Sequence, residues 1–186
     1  DAIKYPPIKH PESNGFITDT STLSNQLKEK SWQFKYRWVY DDYEKSAWSP
    51  VSPSYIDESF NPKFNTSGII SYNNNVLPIK FSSGGELVTR IQIAVRNTNG
   101  QEDFVLIADI DKKNVTEDVL DTGVVLPISF NGLSSITLAT NLDNNQIYEL
   151  VFYNGGIYSI LDLQESNKLY DDIPHQAKAQ EIVDGN

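Results

Sequence analysis

Few side chains in this sequence have reactive chemistry, and their spacing is poor for it. His10 and His175 sit near opposite ends of the chain, beside Pro11 and Pro174. Neither has a local context that suggests a Ser-His-Asp arrangement, which is recognised by geometry and not by sequence order. Both read as surface histidines. Asp109-Ile110-Asp111-Lys112-Lys113-Asn114, with Glu117 and Asp118 behind, alternates oxygen ligands as a calcium loop does. Such a loop needs glycine at its sixth position, where Asn114 stands, and the spacing to a closing glutamate fails. A solvated polar turn is the simpler reading. Asp41, Asp42 and Glu44 offer carboxylates of the kind a glycosidase pairs, yet acidic residues are ordinary in a hairpin turn. Ser83-Gly84-Gly85 and Asn154-Gly155-Gly156 lack the Lys-Ser/Thr of a phosphate loop and read as turns. Trp32, Trp38 and Trp48 could form a sugar-stacking platform, but their positions suit core packing. The residues therefore define no catalytic, cofactor-binding or metal-binding set.

The elements that would position any site begin with Trp32 to Ser54. Phe34, Tyr36, Trp38 and Tyr40 alternate with Lys35, Arg37, Val39 and Asp41, placing one set on each face of a strand. Aromatic side chains fit a pleated, half-buried surface. Asp41 to Glu44 reads as a turn, and Lys45 to Val51 as a return strand ended by Pro50 and Pro53.

A second hairpin is expected from Leu87–Arg96 and Phe104–Ala108 around Asn97-Thr98-Asn99-Gly100. A third is expected from Ile147–Tyr153 and Ile157–Leu161. Val76 to Phe81 is a strand candidate whose Pro78 assigns it to an edge or bulge. Gly68 to Tyr72 suggests a short edge strand, and Val124 to Phe130 repeats the Leu-Pro-Ile style of residues 76–81. Thr20 to Lys30 allows one or two helical turns. Residues 1–31 read as an extended arm, 32–163 as the β-domain and 164–186 as a connecting tail.

Three hairpins without a long amphipathic helix predict an all-β, antiparallel β-sandwich, since one-sided apolar faces need a second sheet. Phe34, Tyr36, Trp38, Ile91, Ile93, Val95, Leu106, Leu150 and Phe152 are expected to point inward.

The chain of 186 residues is long enough for one good core, and 39% of it is hydrophobic. Its 25 acidic and 15 basic residues give a net charge of −10, which argues against nucleic acid or an anionic membrane as the main partner. Cysteine is absent, removing disulfides, thiolate metal sites and a cysteine nucleophile. No apolar run reaches the roughly 18 residues of a membrane span. Methionine is absent too, and the expectation is a piece of a longer protein.

Phe34 to Pro53, FKYRWVYDDYEKSAWSPVSP, resembles the last hairpin of a fibronectin type III module. The order Phe-Lys-Tyr-Arg-Trp-Val-Tyr-Asp-Asp then Glu-Lys-Ser-Ala-Trp-Ser-Pro is also similar to the tail muzzle, or stabilisation, proteins of crAss-like phages. RIQIAVRNTNGQEDFVLIADID at 90–111 and the ending from Tyr170-Asp171-Asp172-Ile173-Pro174 to Gly185-Asn186 share that resemblance. It implies a virion tail component with other tail subunits as partners in a homo-oligomeric ring. It carries no functional residues across and implies no enzyme activity. A carbohydrate- or host-surface-binding β-sandwich, with a surface glycan as ligand, is the alternative.

Overall fold

The computed structural model describes residues 4–17, 26–56, 64–65, 68–69, 75–98, 103–115, 140–154 and 159–161. The elements whose bounds are described are strands: β1 (Ser31–Tyr40), β2 (Tyr55–Ile56), β3 (Phe64–Asn65), β4 (Gly68–Ile69), β5 (Leu77–Ser82), β6 (Val88–Asn97), β7 (Val105–Asp111), β8 (Ile147–Phe152) and β9 (Ser159–Ile160). All pairings are antiparallel. The central sheet has the order β2-β1-β6-β7-β9, while β5 and β8 form a second, two-stranded sheet and β3 and β4 a third pair.

The alternation in β1 decides the packing. Trp32, Phe34 and Tyr36 join Ile91, Ile93 and Val95 of β6 in one buried cluster. Leu77, Ile79 and Phe81 of β5 and Tyr148, Leu150 and Phe152 of β8 belong to the same cluster, so the two sheets share one core. Trp32 and Phe34 meet Phe152 edge-on, with centroids 5.1 and 5.3 Å away, the arrangement that ring quadrupoles favour. Trp38, half-buried, packs against the same cluster.

Leu106 departs from expectation. Ile93 pairs with Ala108 but Ala94 with Leu106, so β7 inserts one extra residue, Ile107. Such a bulge resets the two-residue period. Ile107 and Ala108 consequently both enter the main core, and Leu106 turns to the opposite face beside Ala94 and Phe104.

Among the described residues the two strands of the third hairpin do not pair with each other. β8 pairs with β5 and β9 with β7, so the chain leaves one sheet at Phe152 and enters the other by Ser159. Asn-Gly-Gly signals a turn locally but does not choose the partner of the strand that follows. The second hairpin is present as β6–β7. The 124–130 segment, most of residues 20–30 and the tail from 164 lie outside the described residues; Leu27 within 20–30 is fully buried.

The arm is partly paired. Glu12 bridges Lys80 and Ile17 bridges Val76, along the edge of β5 opposite β8. Four residues separate the β5 partners and five the arm partners, so the arm carries one extra residue between its bridges. Pro78, midway between Val76 and Lys80, has no N–H to offer there, and Gly15 on the arm takes a φ of +106° that favours glycine.

Candidate functional site

The return segment after β1 is not a strand. Only Lys45 forms a bridge, to Val39. Beyond it, serine recurs every third residue, and each serine repeats one pattern. The Ser46 N–H donates to the Trp38 carbonyl (2.9 Å), Ser49 to Tyr36 (2.8 Å) and Ser52 to Phe34 (2.8 Å). In return the Trp38, Tyr36 and Phe34 N–H groups donate to the hydroxyl oxygens of Ser46, Ser49 and Ser52, at 3.1, 3.1 and 2.9 Å. Each hydroxyl then donates to the carbonyl of the next residue, Ala47, Pro50 or Pro53.

Three residues of this segment span two residues of strand, roughly 6.8 Å, so it is coiled more tightly than a strand. Pro50 and Pro53 follow two of these serines and have no N–H to donate, while the serine hydroxyls accept from the strand N–H groups in place of the carbonyls of an ordinary ladder. The outer edge of β1 is thereby closed to further strand pairing.

Coiling in this way lays Trp48 over the second face of the central sheet. That face carries Lys35, Arg37 and Gln92, all buried. The Arg37 guanidinium lies 4.3 Å from the Trp48 ring centroid, and the Lys35 ammonium lies 4.7 Å from Trp48 and 4.1 Å from Phe104. Arg96 closes the stack, 4.8 Å from Phe104. Cations and rings thus alternate as Arg37, Trp48, Lys35, Phe104, Arg96, an arrangement held by the attraction of cations to ring faces.

Burial, with Arg37 and Arg96 close by, pushes the Lys35 amine down to about 8. A hydrogen-bonded line continues sideways. Arg37 Nε donates to Gln92 Oε1 (2.8 Å), Gln92 Nε2 to Asp109 Oδ2 (2.9 Å) and Arg90 Nε to Asp109 Oδ1 (2.9 Å). Asp109 is therefore a strand residue that accepts three side-chain hydrogen bonds, one from Gln92 and two from Arg90, and Asp111 lies 3.6 Å from Arg90. Glu117 and Asp118 lie outside the described residues.

A cleft of about 470 Å³ opens between the arm and the sheets. Ile8, His10 and Glu12 of the arm face Trp38, Lys80 and Ile147 across it. Trp38 commits its ring N–H to the Ser82 carbonyl at 3.0 Å, leaving its ring as the surface it offers. The arm is tied at the end nearer residue 4 as well, by a Lys4–Asp42 ion pair and by the Tyr40 hydroxyl donating to the Tyr5 carbonyl (2.8 Å). Lys4 holds the Asp42 carboxyl below its usual range, and Asp42 raises Lys4 in turn. Asp41, Asp42 and Glu44 all stand exposed on the turn.

Of the chemistry-bearing residues read from the sequence, His10 alone among the histidines is placed, and it lines the cleft; His175 lies outside the described residues. Trp32 and Trp48 are buried, so Trp38 is the tryptophan with a face toward the cleft. The serine ladder and the cation–ring stack were missed. Serine at 46, 49 and 52 beside prolines at 50 and 53 was the available signal.

No described group of three or more histidines, cysteines and carboxylates is arranged to hold a metal ion. No described helix is long and apolar enough to cross a membrane. Compared with known proteins, the chain matches no family model, no curated protein and no solved structure.

Proposed function

We propose that the chain is a structural assembly module of a phage tail protein of the muzzle or stabilisation class, folded as a fibronectin type III-like antiparallel sandwich. The observation that carries the reading is where its chemically capable groups go. Lys35, Arg37 and Arg96 brace aromatic rings, and the hydroxyls of Ser46, Ser49 and Ser52 close the edge of β1. These are the investments of a rigid frame. The three sequence blocks similar to muzzle proteins supply the tail context, and the arm laid along β5 is the kind of connection such a module makes to its surroundings.

Mass spectrometry of purified, DNA-free tails tests this. Peptides from the β1 and β6–β7 regions should be present at a constant ratio to the other tail proteins. Their absence from tails, with the chain recovered elsewhere, would overturn the assignment.

The second reading is a glycan-binding module, favoured by one observation: the half-buried Trp38 ring faces an open cleft bordered by His10, Glu12 and Lys80. Rings supply stacking faces and such side chains supply orienting hydrogen bonds. Specific glycan-array binding that disappears in His10→Ala or Lys80→Ala, with folding retained, would select this reading.

A further inference from the structure

We infer that the end of the molecule formed by the 41–44 turn is a docking surface for a basic protein partner, with Tyr43 as its anchor. The proposal deepens the assembly reading above and rests on it for its setting.

Three apolar side chains stand exposed on three separate segments there: Tyr43 at 85%, Tyr5 at 72% and Leu87 at 59%. Hydrogen bonds hold those segments together. The Asp41 N–H donates to the Leu87 carbonyl at 2.9 Å, and the Tyr40 hydroxyl donates to the Tyr5 carbonyl at 2.8 Å. The Lys4–Asp42 pair adds a third tie. Tyr43 has a φ of +65°, a conformation that side-chain-bearing residues seldom adopt. Its N–H donates to the Tyr40 carbonyl, which fixes the turn. The backbone that presents this ring is therefore fixed before binding, which lowers the ordering cost of using it as an anchor.

Charge selects the partner. Asp41 and Glu44 share the turn with Tyr43, and Glu86 precedes Leu87; all three are exposed, with no described cation within ion-pair distance. Of the cations at this end, Lys4 pairs with Asp42 and acts at longer range on Glu44 and Asp41, Lys45 follows Glu44, and Lys112 is bound to the Gly85 carbonyl and Asn144, so the exposed carboxylates outnumber the cations that face them. A second copy of the same surface would set these carboxylates against one another. A lysine- or arginine-rimmed surface with an apolar centre is complementary.

Carbodiimide coupling on intact tails tests the inference, because the reagent joins a carboxylate to a touching lysine amine as an amide, releasing the oxygen as the urea. Cross-links should run from Asp41, Glu44 or Glu86 to lysines of a different chain. In parallel, Tyr43→Asn, which tolerates the positive φ, combined with Leu87→Ser should reduce incorporation into tails by roughly tenfold or more. The melting temperature of the free chain should be preserved. Cross-links only to a second copy, or these carboxylates remaining fully reactive toward a small amine in the assembled tail, overturn the inference. So does undiminished incorporation of the folded double variant. Absence of the chain from tails is a different failure, that of the functional assignment.

Discussion

Ser49→Ala isolates what a ladder serine contributes. The hydroxyl oxygen accepts the Tyr36 N–H at 3.1 Å, and its proton goes to the Pro50 carbonyl at 3.0 Å. Alanine keeps the backbone bond from residue 49 to the Tyr36 carbonyl but leaves the Tyr36 N–H facing a methyl group. Ser49 and Tyr36 are both buried, so water does not replace the lost acceptor. A buried donor left without a partner costs about 1–3 kcal/mol. For a chain of this size each kcal/mol lowers Tm by roughly 2–4 °C. A fall in Tm of about 2–12 °C is expected.

Urea unfolding should show a lower midpoint at unchanged slope, and native-state hydrogen exchange should accelerate at the Tyr36 amide. Ser13→Ala, which removes the acceptor for the Gly15 N–H on the arm, is the control and should cost less than about 0.5 kcal/mol. A Ser49→Ala protein as stable as the control, with Tyr36 exchange unchanged, would falsify the ladder argument.

Trp48→Ala should cost about 3–5 kcal/mol in urea unfolding, because it removes the ring between Arg37 and Lys35 and opens a cavity; a loss under 1 kcal/mol would contradict the stack. Lys35 has a folded pKa of about 8, below the ordinary 10.5, so between these values the unfolded chain binds more protons than the folded one. Its unfavourable contribution is present in full below about pH 8 and fades as pH rises toward 10.5, so Lys35→Met should flatten a stability increase over that window; identical pH profiles would refute the assignment. Gly84→Ala should destabilise by more than about 1 kcal/mol, since φ is +69° and a Cβ would lie 2.8 Å from Val88 and 2.9 Å from the Trp38 ring; calorimetry of the variant checks it.

Alternation made β1, β5, β6 and β8 legible, because a half-buried strand writes its period of two into the residue types. Pro78 marked its strand as an edge for a reason the structure repeats: no N–H is available where the arm bulges away. Leu106 was misplaced because a bulge leaves no mark on alternation in sequence; only the partner strand reveals the extra residue. The third hairpin failed on a similar ground, since Gly-rich turns fix a local reversal but not which sheet receives the next strand. Lys35 and Arg37 were correctly set opposite the aromatic face, yet their burial depended on Trp48 and Phe104 arriving from segments 11 and 67 residues further along than Arg37, by the numbering. Such tertiary cover is invisible to a local pattern. The serine ladder was legible in principle, as a three-residue period beside two prolines, the period of a polyproline II helix and not of the strand that the hairpin reading called for.

The central claim is that this chain is a framing module repeated in a phage tail. A cryo-EM reconstruction of the purified tail, at a resolution that separates strands, tests it most directly. The account predicts density for the β2-β1-β6-β7-β9 sheet with Trp48 and Phe104 stacked on Lys35, repeated around the tail axis, and the 41–44 turn seated against a different protein. A complete tail reconstruction in which no density accommodates that sheet would contradict it.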